Sequence, residues 1–94
     1  MHTLHDTELT EWLKTYPEWS QEGTHLSVSY TFKNFVEAFG FISKVAIEME
    51  KANHHATITT TYNKVKISMT THDANNMITN RDTDLAETIT KLPK

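Results

Sequence analysis

Hydrophobic positions change their period several times along this chain, and each change marks an element. Leu9, Trp12, Leu13 and Tyr16 fall at helical spacing in residues 7–16. Asp6 or Thr7 is placed to cap that helix, and Pro17 ends it by disfavouring the α conformation at Tyr16. Residues 19–24 read as a short strand turning at Gly23-Thr24. Leu26, Val28, Tyr30 and Phe32 then alternate with Ser27, Ser29 and Thr31, the period of a strand with one buried face. After Asn34, a good N-cap, the period becomes 3.6: Phe35, Ala38, Phe39, Ile42, Val45, Ala46 and Met49 form a stripe on a helix of about 18 residues, or 27 Å. Its aromatics are expected in the core, and close packing is the expected reason for Gly40 within it. Two strands follow, 57–62 and 65–71, around Asn63-Lys64, where Asn suits the left-handed geometry of a tight turn. A loop with Asn75-Asn76 leads to Thr79, which caps a last helix in a Thr-x-x-Asp box, with Leu85, Ala86, Ile89 and Leu92 on its apolar face.

The order α-β-β-α-β-β-α predicts an α+β fold. We expect a single domain over residues 1–94, with a four-stranded antiparallel sheet and three helices on one face. A chain of this length buries a modest core and gains from association. Composition narrows the chemistry. The net charge of −3 and the lack of a basic run argue against nucleic acid. No apolar run approaches the roughly 20 residues of a membrane span, and the acidic, polar N-terminus is unlike a signal peptide, so a cytoplasmic protein is expected. With no cysteine, thiolate metal sites and cysteine nucleophiles are excluded. No serine elbow or glycine-rich phosphate loop is present.

What remains is histidine. His54 and His55 lie where the long helical pattern ends, and His72 where the second hairpin strand ends. A hairpin folded back on the helix would bring the three imidazoles to one cleft. Glu50, four residues before His54, would stand beside that ring on a helix and could orient it. Imidazole takes and gives protons near neutral pH, so several together suit a reaction that removes one proton and delivers another, such as elimination of water. Two rival readings stand beside this one: surface histidines without a role, and a three-histidine zinc site, which lacks a His-x-x-x-His spacing.

At these residues the chain resembles the pterin-4a-carbinolamine dehydratase family. The family pattern is matched by Glu50, His54, His55, Tyr62, His72 and Asp82, with flanks Trp19, FKNFVEAFGFISKVAIEMEK over 32–51, YNKVKISMTTHD over 62–73 and ITNRDTDLAETI over 78–89. The resemblance covers about residues 7–92. It implies dehydration of 4a-hydroxytetrahydropterins to quinonoid dihydropterins, recycling a pterin cofactor without a metal or other cofactor of its own. It further implies His54, His55 and His72 as acid–base residues, Glu50, Asn53 and Asp82 as substrate-binding or orienting residues, and a homodimer or homotetramer. Some members instead serve as protein-binding or assembly factors. The chain departs from the family at Ala56, where Pro is usual, at Ile58, where an aromatic is typical, and at Asn75-Asn76, where two glycines are expected in a loop one residue shorter.

Overall fold

The computed structural model describes residues 2–94. Its elements run α1 (Asp6–Thr15), β1 (Ser20–Glu22), β2 (His25–Thr31), α2 (Phe35–Ala52), β3 (Thr57–Thr61), β4 (Lys64–Met69), a 3-10 turn (His72–Ala74) and α3 (Asn80–Lys91). The strands form one antiparallel sheet in the order β1-β2-β4-β3. Its centre is the β2–β4 pair, in register from Leu26 opposite Met69 to Thr31 opposite Lys64. The predicted α+β architecture is the observed one.

The alternation along the strands divides the sheet into two unlike faces. Leu26, Val28, Val65, Ile67 and Met69 are buried against the helices. The opposite face carries the intervening serines, threonines and lysines, with Glu22 bridged to Lys66 at 3.2 Å. From the helices come Leu9, Ala38, Phe41, Val45, Met49, Leu85, Ala86 and Ile89. Trp19 is also buried, and its indole N–H donates to the Thr90 hydroxyl at 2.9 Å, tying the residue just before β1 to α3. The Tyr30 hydroxyl is buried without a hydrogen-bond partner among the described residues. Burial first, and then the nearby Glu18 carboxylate, push it well above its ordinary value of 10.0, so it stays neutral.

Several local expectations are corrected. The first helix is not capped by Asp6 or Thr7. His5 is its N-cap, and the Glu8 carboxylate accepts the His5 N–H at 3.0 Å. In α2 the core stripe is Ala38, Phe41, Val45 and Met49. Phe35 and Phe39 stand 47% and 52% exposed, with Val36 and Ile47 also in solvent. The helix carries two apolar stripes, and only one can face the sheet. Close packing does not explain Gly40, because a Cβ there would meet nothing within 4 Å. In the second hairpin the left-handed residue is Tyr62, with φ of 51°, rather than Asn63. Asn63 instead clamps the turn to Phe32, its amide donating to the Phe32 carbonyl at 2.8 Å.

Candidate active site

The site is assembled where α2 ends. Asn53 closes the helix in the left-handed conformation, with φ of 50°. That single residue turns the chain, so His54 and His55 no longer follow the helical rotation. The backbone N–H of His54 donates to Met49 O at 3.1 Å, and that of Ala56 to Met49 Sδ at 3.1 Å. Proline at residue 56 could not make the second bond, so the departure at Ala56 carries a tether of its own. Strand β4 then delivers Thr70, Thr71 and His72 to the same end of the sheet. Asn75 and Asn76, both left-handed, supply the reversal that glycines would otherwise make.

Asn53, His54, His55, Thr70, Thr71, His72, Asp73 and Arg81 line one cavity of about 180 Å³. The three histidines therefore share a cleft. Each has one ring nitrogen held by an oxygen of the protein. His54 Nε2 lies 2.6 Å from Asp82 Oδ1, His55 Nε2 lies 2.6 Å from Glu50 Oε1, and His72 Nδ1 lies 2.7 Å from Asn76 Oδ1. An acceptor oxygen fixes the orientation: the held nitrogen carries a proton, and the other is left open to give or take one. The second nitrogen of each ring has no partner among the described residues.

The three holds differ in kind. His54 is buried, and Asp82 behind it is fully buried. Asp82 Oδ2 also accepts the Thr71 hydroxyl at 2.8 Å and the Thr79 N–H at 2.9 Å. Asp82 is thus the capping carboxylate of α3 and the anchor of His54 at once, and it does not itself line the cavity. The pair of His55 and Glu50 is 56% and 79% exposed and holds its ring loosely. Glu50 was expected beside His54. It reaches His55 because Asn53 breaks the helical spacing between them. Ile58, at the position where an aromatic was expected, is half-buried and packs against the core.

Arg81 was not singled out by the sequence. Its position one residue before Asp82, opening α3, was the available signal. Arg81 and His54 also line a neighbouring groove of about 360 Å³ between α2 and α3, with Glu48, Lys51, Asp84 and Leu85. Among the described residues no three His, Cys, Asp or Glu side chains are grouped to hold a metal ion, and no helix is long and apolar enough to cross a membrane.

A small α+β domain with a histidine-lined cleft at the end of its sheet is thus the class that fold and geometry define. Residues 2–92 match the model of a family described as pterin 4 alpha carbinolamine dehydratase. A relative from Picosynechococcus sp., which carries the provisional name pterin-4-alpha-carbinolamine dehydratase, is 43% identical over 89 residues, covering 95% of this chain and 96% of its own. One from Thermomicrobium roseum, with the same provisional name, is 41% identical over 98% of both chains. A crystal structure titled transcriptional coactivator/pterin dehydratase, from Brucella melitensis, superposes with a TM-score of 0.87 at 30% identity, covering 94% of this chain and 95% of that one. The chain belongs to the pterin-4-alpha-carbinolamine dehydratase family.

Proposed function

We propose that this protein is a 4a-hydroxytetrahydropterin dehydratase, a hydro-lyase that eliminates water by histidine acid–base catalysis to give a quinonoid dihydropterin. One observation carries the reading: three imidazoles line one cleft, each tied at one nitrogen and open at the other. The elimination breaks the bond from C4a to oxygen. One imidazole, starting as the imidazolium with a proton on its open nitrogen, delivers that proton to the departing hydroxyl, and another, neutral at its open nitrogen, takes a proton from a ring N–H, so water leaves, the two rings exchange charge states and total charge is conserved. Each well-placed transfer contributes roughly 10²–10⁴-fold. His54, His55 and His72 are the groups proposed to move these protons. Asn53 faces the substrate, Glu50 orients His55, and Asp82 orients His54. No cofactor enters the scheme. The absence of cysteine suits the reducing cytoplasm in which we place the protein.

The test is stopped-flow dehydration of a freshly generated 4a-hydroxytetrahydropterin. Wild type is expected to accelerate it, and His54→Ala and His72→Ala to lose about 10²-fold or more in kcat. Activity is expected to change between about pH 5 and 8, where histidine changes charge. A folded wild type that leaves the uncatalysed rate unchanged refutes the reading.

A second role is favoured by one surface. Phe35, Val36, Phe39 and Ile47 leave an exposed apolar stripe on α2, away from the sheet. Such a stripe suits association. We propose a homodimer or homotetramer assembled on it. A protein-binding role, which the coactivator in the Brucella title suggests for that relative, is the alternative use of the same face. Light scattering of Phe39→Glu beside wild type decides: a fall in mass supports self-association, and a wild-type monomer leaves the stripe to another partner.

A further inference from the structure

Arg81 earns no evident structural return where it stands. It is the second residue of α3, and a cation in the first turn opposes the helix dipole. Its one ion pair among the described residues, from Nη1 to Asp73 Oδ2, is 3.7 Å long, with the two side chains 44% and 79% exposed. Such a pair is worth little. Yet its side chain lines both the histidine cleft and the adjoining groove.

Among the residues lining the cleft, Arg81 alone carries a permanent positive charge. With their held nitrogens protonated, the three imidazoles present their open nitrogens to the proton transfers at the reacting centre. The Thr71 hydroxyl donates to Asp82, and the Thr70 hydroxyl points to Met77 O at 3.5 Å. That leaves the Asn53 amide and Arg81 as the lining side chains with N–H groups free for a ligand's acceptor, and a pterin presents a carbonyl on the carbon next to the one bearing the departing hydroxyl. A guanidinium offers two parallel N–H groups in one plane and cannot lose its charge.

We propose that Arg81 is a substrate-contacting residue, donating to the pyrimidine carbonyl beside the departing hydroxyl, with Asp73 holding it over the cleft until substrate arrives. The inference rests on the dehydratase reading. Of the other charges facing it, Asp84 lies on its own helix and Glu48 and Lys51 lie across the groove on α2; all three line the groove but not the histidine cleft. As the hydroxyl leaves, positive charge grows in the pterin ring, and a second cation nearby cannot favour that step. Arg81 therefore holds the substrate without lowering the barrier, and its loss falls on KM rather than kcat.

The experiment measures steady-state dehydration by wild type, Arg81→Ala, Arg81→Lys and Asp73→Asn, with binding of 7,8-dihydropterin followed by calorimetry and folding by circular dichroism. Arg81→Ala is expected to raise KM about 10- to 100-fold, with kcat within about threefold of wild type, and to weaken dihydropterin binding in step. Arg81→Lys keeps the charge but not the fork and recovers only part of the loss. Asp73→Asn frees the guanidinium and is expected to lower KM by up to about fivefold. Wild type that dehydrates the substrate while Arg81→Ala keeps its KM overturns this inference alone. A rise in KM for Asp73→Asn matching that of Arg81→Ala also overturns it, because the effect would then belong to the loop. Wild type that neither binds nor dehydrates overturns both readings.

Discussion

Asp82→Asn separates orientation from packing at His54. The carboxylate is fully buried and accepts three bonds: His54 on Oδ1, and the Thr71 hydroxyl and the Thr79 N–H on Oδ2. Asparagine has the same shape but only one oxygen. Two donors converge on the Oδ2 side, so the amide oxygen settles there and its NH₂ faces His54 Nε2. That nitrogen must then accept, and its proton moves to Nδ1. The nitrogen left to serve the substrate changes from a lone pair to a donor without a change in cavity volume. The same substitution behind the histidine of a serine protease triad lowers kcat by about 10⁴-fold through the wrong tautomer. Here a fall of about 10²–10⁴-fold in kcat is expected. Stability should fall less severely, by about 1–3 kcal/mol for the weakened buried bonds, within the roughly 5–15 kcal/mol of a small domain. The kinetics are therefore measured well below the melting temperature, beside ¹⁵N spectra of the imidazole that report the tautomer directly. His54→Ala combined with Asp82→Asn should be no slower than His54→Ala alone, since both act through one ring. A folded Asp82→Asn variant with a switched tautomer and kcat within about threefold of wild type refutes proton transfer at His54.

Gly40 sits in the interior of α2 with open space around it, so Gly40→Ala is expected to stabilise the fold by about 0.5–1 kcal/mol, read as a higher melting temperature. The Glu8 carboxyl lies below its ordinary value of 4.5, first because it accepts the His5 backbone N–H and next because of the His2 ring. Its stabilising contribution is present above that ordinary value and is lost as pH falls through the lower folded one. Melting temperatures of wild type and Glu8→Gln should therefore converge as pH drops below 4.5, and a constant difference would show that α1 gains nothing from this charge.

The fold was legible because its cues agree. Strand alternation in 26–32 and 65–69, the cap at Asn34 and the box from Thr79 to Asp82 each name one conformation, and neighbouring cues do not contradict them. The side of α2 that would be buried was not legible. Phe35 and Phe39 are as apolar as Phe41, so composition cannot rank two stripes on one helix. Only the sheet, with Tyr30 5.2 Å and Phe32 5.1 Å from the Phe41 ring, picks the one that packs. The stripe left over is the exposed one on which association is proposed.

The site shows the same limit at shorter range. The place of His54, His55 and His72 at one cleft followed from element boundaries, which the sequence marks well. Their partners depended on single backbone angles, which it marks poorly. Spacing of four paired Glu50 with His54 as long as the helix was assumed to continue, and one left-handed residue, Asn53, moved the carboxylate to His55. Asp82 could be read as a cap or as a site residue, and the two readings competed only on paper. A carboxylate has two oxygens, and here Oδ2 closes the helix while Oδ1 holds the imidazole. Anchoring the most buried histidine to a helix cap gives its ring the rigidity of α3 itself, whereas His55 and His72 hang from an exposed glutamate and a loop asparagine. In the proposed reaction the fixed ring is His54, and the two that can adjust to the substrate stand at the rim.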